Sequence, residues 1–272
     1  MDPNCRSGVD IGGDGTSAAR TWRTRPPDIG RNAMPTHSPH PDSVRPFLTK
    51  NTFLGRLPDV VLDALVRKGQ VKTFARGSFI YRRGDPGDSL MVVIAGRAKL
   101  ANDNVDGKEV VLHFLGAGDI CGEIAALDGK ERAADAIALD DADVFVVSTR
   151  DLLPTLAAHP DAMLAIIRAL CEKVRAGAAI IVDSTLEMRG RTAMGLLRLA
   201  RQHGRKSADG VSLQLTISQE ELGKYLWLSR ANVSRQLGQL KLANMIRISG
   251  TEITILDEKG LAEIATDPAS KD

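Results

Sequence analysis

Between residues 70 and 148 apolar and polar positions alternate in short runs, and each run ends in glycine, aspartate or proline. VKTFARGSFI, SLMVVIAGRAKLA, EVVLHFLG, AADAIALD and ADVFVVS have the length and composition of strands, while RRGDPGDS, NVDGK, GAGDICGE and LDGKER read as turns. Strands at this spacing predict a closed or double-sheet all-β unit. No βαβ alternation is present, which argues against a dinucleotide-binding loop. Ahead of the strands, FLGRLPDVVLDALVRKG sets Leu57, Val61, Leu62 and Leu65 near a 3.6 period after Pro58, a helical preface.

The period then changes. Met163, Ile167, Leu170, Val174, Gly177, Ile181, Ser184 and Met188 recur at alternating intervals of four and three, the seam of a coiled coil. The pattern predicts a long helix over 158–188 that pairs with a second copy through Met163, Ile167, Leu170, Val174, Ile181 and Met188. Beyond it, TISQEELGKYLWLSRANVSRQLGQLKLANMIRI reads as two short helices around a turn. Ser218 with Glu221 forms a capping box for the first, and Ser229 caps a second over Arg230 to Leu242 with Val233, Leu237 and Leu240 inward. That is helix-turn-helix geometry, with Ser229, Arg230, Asn232, Ser234 and Arg235 placed to face DNA. IRISGTEITIL follows as a two-stranded wing.

Charge sharpens this reading. The 272-residue chain carries a net charge of only +2, but residues 189–247 hold eleven Lys and Arg against three acids, a balance suited to a phosphate backbone. Residues 1–44 are rich in Gly, Pro, Ser and Arg without apolar period and predict a disordered tail, with Met34 a candidate translation start. Three cysteines without metal-ligand spacing predict reduced thiols, and no apolar run approaches the length of a membrane span. A cytoplasmic protein is expected, with no membrane partner and no metal. The domain order is a tail (1–44), a β-roll (45–157), a dimerisation helix (158–188), a winged helix-turn-helix (189–266) and a short tail (267–272).

IYRRGDPGDSLMVVIAGRAKL, GAGDICGEIAALDGKERAA and ISQEELGKYLWLSRANVSRQL, in this order, resemble the CRP/FNR family of bacterial transcription regulators, the cyclic-AMP receptor protein type. The resemblance covers about residues 47–265. It implies an α+β fold: a double-stranded β-helix (jelly-roll) cyclic-nucleotide-binding domain, a long dimerisation helix and a winged helix-turn-helix. It also implies a homodimer on palindromic double-stranded DNA, RNA polymerase as a partner, and a cyclic nucleotide effector. GEIAALDGKERAA is similar to the family's phosphate-binding cassette. Glu123 would accept a ribose 2′-hydroxyl and Arg132 would pair with the cyclic phosphate. Gly122 would let the backbone approach the sugar, and N–H groups of the helix holding Ile124 and of Ala133 and Ala134 would complete the cradle. The alternative within the cassette is a plain Glu123–Arg132 salt bridge. Independently of the resemblance, a helix start offers unpaired N–H donors and an arginine offers a charge-assisted bond.

The chain departs from the family pattern at several points. Ala133 stands where a Ser or Thr is common, and the resulting RAA arrangement resembles cassettes that select adenine, so cAMP is favoured over cGMP. Ala176 and Gly177 align with the hydroxyl pair that contacts adenine and cannot replace it. Ala231 replaces an acidic residue between Arg230 and Arg235, which removes an acceptor for cytosine N4 and predicts an altered half-site, with Asn232 an adenine reader. Trp227 occupies a turn position usually held by glycine. A positive φ there would strain it; the expectation is that its indole packs under the recognition helix.

Rival readings are specific. A four-cysteine iron–sulfur cluster needs more cysteines than the chain has. Haem ligation through His113 or Cys121, redox control, constitutive DNA binding, and a nucleotide-binding module acting through protein partners are the alternatives. No GxSxG, HExxH or Walker pattern supports an enzyme.

Overall fold

The computed structural model describes residues 41–50, 54–213 and 217–266. The expectations for residues 1–40, for Met34 and for the tail at 267–272 lie outside them. Helix α1 (Pro41–Lys50) begins inside the segment expected as tail. Val44 and Leu48, one turn apart, are both buried, and this pair outweighs the polar residues around it. After a 3₁₀ turn at Leu54–Arg56, α2 (Asp59–Lys68) takes Pro58 as its N-cap residue and buries Val61, Leu62, Leu65 and Val66.

The roll follows as β1 (Gln70–Phe74), β2 (Phe79–Tyr81), β3 (Ser89–Ala95), β4 (Ala98–Asp103), β5 (Glu109–Leu115), β6 (Ile120–Cys121), α3 (Glu123–Asp128), β7 (Asp135–Ala138) and β8 (Ala142–Ser148). Two antiparallel sheets, ordered β1-β8-β3-β6 and β2-β7-β4-β5, make the jelly roll. Strand β3 is buried on both faces, which explains its unbroken apolar run. Leu90 and Val92 meet the helical layer, while Met91 and Val93 fill the inside of the roll. Strand β8 repeats this, with Phe145 and Val147 outward and Val144 and Val146 inward. The two-residue β6 lies in what reads as turn sequence, too short to show a period.

Helix α4 (Thr149–Ala157) is capped by Ser148, whose Oγ accepts the Asp151 N–H at 3.3 Å. The long helix α5 spans Pro160–Ser184 and α6 spans Met188–His203, so Met188, the last position of the expected seam, lies on the next helix. At the break, the hydroxyls of Ser184 and Thr185 donate back to the carbonyls of Ile181 and Val182 at 2.6 and 2.8 Å.

The C-terminal unit continues with β9 (Gly204–Ser207), β10 (Gly210–Leu213), α7 (Gln219–Leu226), α8 (Arg230–Leu242), β11 (Ile246–Ser249), β12 (Glu252–Ile255) and α9 (Glu258–Thr266). Its sheet has four strands, ordered β11-β12-β10-β9, rather than the expected two. Strands β9 and β10 escape the sequence pattern because β9 is fully exposed and β10 is held by pairing with the distant β12. The unit is docked on the roll: Val111 and Phe114 of β5 share a core with Leu222, Tyr225 and Leu226 of α7, and the Phe114 and Tyr225 rings lie 5.3 Å apart.

Candidate functional site

Gly122 and Arg132 come together at the start of α3. Gly122 has φ 77°, and a Cβ on it would lie 2.3 Å from Arg132 Nη1, so only glycine fits. The Arg132 side chain is 2% exposed. Its Nη1 donates to the carbonyls of Ser89 (2.7 Å) and Gly122 (3.0 Å), and its Nη2 donates to Ser89 Oγ (2.9 Å) and Asp88 (3.5 Å). The guanidinium also lies 4.6 Å from the Tyr81 ring centroid. Its Nε is buried and has no acceptor. A buried donor in that condition is costly, and a phosphate oxygen is the kind of acceptor that would satisfy it.

Glu123, also buried, does not pair with Arg132. Its Oε1 accepts Lys173 Nζ of α5 at 2.6 Å. Beside it, burial and the Glu123 charge push the Cys121 thiol up to about 12, and burial raises the Tyr81 phenol well above its ordinary range. Ile124 and Ala133 are exposed and Ala134 is buried. The N–H groups at the start of α3 have no intrahelical acceptor by position. The other proposed iron ligand, His113, packs against His203 with ring centroids 6.3 Å apart.

The helix-turn-helix has the expected caps: Ser218 Oγ accepts the Glu221 N–H at 3.1 Å and Ser229 Oγ accepts the Asn232 N–H at 3.2 Å. Arg230, Ser229, Ser234 and Arg235 are exposed, and Arg235 donates to the Asn232 side-chain oxygen at 3.0 Å. Val233, Leu237 and Leu240 face the core. Trp227 corrects one expectation. It adopts φ 57° as the residue after α7, and it is 45% exposed rather than packed under the recognition helix. The turn needs a left-handed residue because the Leu228 N–H bonds back to the Gly223 carbonyl at 2.9 Å.

On α5, Met163, Ile167, Val174 and Ile181 are exposed apolar residues, and Met188 is 36% exposed on α6. Leu170 is partly buried against the helical layer of its own chain.

Residues 71–159 match the family described as Cyclic nucleotide-binding domain, and residues 190–264 match the Crp-like helix-turn-helix domain. The chain belongs to the CRP/FNR family. Relatives of this CRP/FNR protein include a CRP-like cAMP-activated global transcriptional regulator of Mycobacterium tuberculosis, 27% identical over 78% of this chain and 95% of that one. The Cyclic AMP receptor protein of Thermus thermophilus is 29% identical at the same coverage. A CRP-family transcriptional regulator, also from Thermus thermophilus, superposes with a TM-score of 0.57 at 28% identity, over 72% of this chain and 97% of that one. FixK2 from Bradyrhizobium japonicum shares the fold, with a TM-score of 0.66 at 20% identity over 73% and 98% of the two chains. This CRP/FNR protein is therefore a transcription regulator with a roll of the cyclic-nucleotide-binding type. Among the described residues no helix is long and apolar enough to cross a membrane.

Sequence reading missed four partners of the cassette: Tyr81, Asp88, Ser89 and Lys173. Tyr81, Asp88 and Ser89 stand in the IYRRGDPGDS motif, where turn chemistry masks them. Lys173 shows no signal at all, because a single lysine beside a coiled-coil seam reads as a solvated flank.

Proposed function

We propose that this regulator binds palindromic double-stranded DNA as a homodimer under control of a cyclic nucleotide, cAMP in preference to cGMP. The observation that carries the reading is the buried Arg132 guanidinium, fixed by Ser89 and Gly122, whose Nε lacks an acceptor. A cyclic phosphate would take the free donor and a ribose hydroxyl the Glu123 carboxylate, with Gly122, Ile124, Ala133 and Ala134 lining the approach. Small Ala133 supports adenine over guanine, and relatives described as cAMP-activated support the same effector. The exposed apolar stripe on α5 supports pairing with a second copy, which would present Arg230, Asn232 and Arg235 of each protomer to major grooves about 34 Å apart. Such a regulator works in the cytoplasm and acts on RNA polymerase at its promoters. Effector binding between roll and α5 shifts the population of one α5 arrangement, and hence the spacing of the two recognition helices.

Calorimetry with cAMP and cGMP tests this. Heat with cAMP, weaker heat with cGMP, and loss of both in Arg132→Leu are expected. An absence of heat with either nucleotide overturns the effector while leaving the regulator in place.

A further inference from the structure

We infer that Lys173 is an internal competitor of the effector: its ammonium and a ligand hydroxyl contend for the same Glu123 carboxylate. The inference deepens the cyclic-nucleotide reading and rests on it.

The Glu123 side chain is 7% exposed, and a carboxylate at that depth requires a counter-charge. Arg132 makes no hydrogen bond to it, since its Nη1 and Nη2 donors are directed to Ser89, Gly122 and Asp88. The counter-charge comes instead from α5, where Lys173 donates to Oε1 at 2.6 Å. Lys173 is 44% exposed and reaches in on a flexible stem, so the pair is displaceable. While the ammonium neutralises the carboxylate, an arriving hydroxyl finds a weaker acceptor. Removing the ammonium leaves the carboxylate short of a donor, a need that the ligand hydroxyl then meets. Lys173 would therefore set the threshold for any effector that presents a hydroxyl beside its phosphate. The opposite role, Lys173 as a second phosphate cation, carries the opposite sign.

The test is calorimetry on the full chain with cAMP and with 2′-deoxy-cAMP as probes. Lys173→Met is expected to bind cAMP roughly two- to fivefold tighter than the unaltered protein, the range for a half-exposed ion pair. It should bind 2′-deoxy-cAMP no tighter, and Lys173→Arg should keep the original cAMP affinity. Lys173→Gln repeats the measurement if the methionine variant fails to fold. Equal or weaker cAMP binding by Lys173→Met, or an equal gain for the deoxy probe, overturns it while the cyclic-nucleotide reading stands. Failure of all variants to bind cAMP removes that reading and this inference together.

Discussion

Lys99 of the roll and Glu221 of the first helix of the helix-turn-helix meet at 3.1 Å, with the lysine side chain only 6% exposed. Glu109 joins the same ammonium at 2.6 Å, and Lys224 adds a second cation 3.3 Å from Glu109. Burial pushes the Glu109 carboxyl upward, but the Lys99 hydrogen bond and charge outweigh it and hold the group below its ordinary value. The capping box is thus half used: the Glu221 N–H serves Ser218, while its carboxylate fastens the DNA-binding unit to the roll.

Lys99→Met should loosen this fastening. Two partly buried carboxylates lose their shared cation, a loss of about 1–3 kcal/mol once solvent screening of their exposed sides is allowed for. Urea unfolding, with limited proteolysis as a second readout, measures it. Unaltered stability and an unaltered cleavage pattern would show that the apolar contact of Phe114 and Tyr225 suffices alone.

Gly122→Ala should damage the cassette twice over. A left-handed alanine is strained by about 1 kcal/mol, and its Cβ would press on Arg132 Nη1. Thermal melting and cAMP calorimetry on the same sample are expected to show lower stability and at least tenfold weaker binding. Full retention of both would mean that Arg132 is free to move aside.

Trp227→Gly should lower stability. Glycine would relieve left-handed strain of about 1 kcal/mol at φ 57°, but the covered half of the indole, at about 25 cal/mol per Å², outweighs that relief by about 1–2 kcal/mol. An unchanged or raised melting temperature would show that the strain outweighs the packing.

The junction between roll and α6 should be acid-sensitive. Burial, aided by His203, Lys173 and Arg198, lowers His113 to about 4. Burial lowers His203 as well, against the pull of Asp119, whose own carboxyl is raised by burial. A histidine depressed in the folded state leaves the unfolded chain binding more protons. Its contribution is full above the unfolded value near 6.5 and is lost as pH falls toward 4, by up to about 1.4 kcal/mol per pH unit. Unfolding free energy measured between pH 7 and 4 should fall, and His113→Phe should flatten the fall. An identical slope in the variant would place the sensitivity elsewhere.

Arg230→Ala should relax base preference rather than abolish binding, at about 1–3 kcal/mol for one bidentate base contact. Binding selections on random duplexes read this directly. An unchanged consensus would remove Arg230 from the reading surface.

The parts visible in the sequence are those fixed by neighbours along the chain. Ser218 and Ser229 each cap a helix through an N–H three residues on, the apolar runs of β3 and β8 read as strands, and the ten-residue spacing of Gly122 and Arg132 closes over one short helix. The parts that stayed hidden are fixed by distant partners. Lys173 is chosen by a carboxylate fifty residues away, β10 by its pairing with β12, and α1 by the core that Val44 and Leu48 join. The end of α5 before Met188 lies within a seam that runs on regardless of it.

The outermost strand of the C-terminal sheet has a colloidal consequence. Among the described residues strand β9 has one unpaired backbone edge, the kind of edge on which a second molecule could nucleate an unwanted sheet, yet its exposed positions include Arg205 and Lys206. Two such edges repel each other. One edge of this sheet thus carries a charge that favours a polyanion and discourages pairing with its own kind.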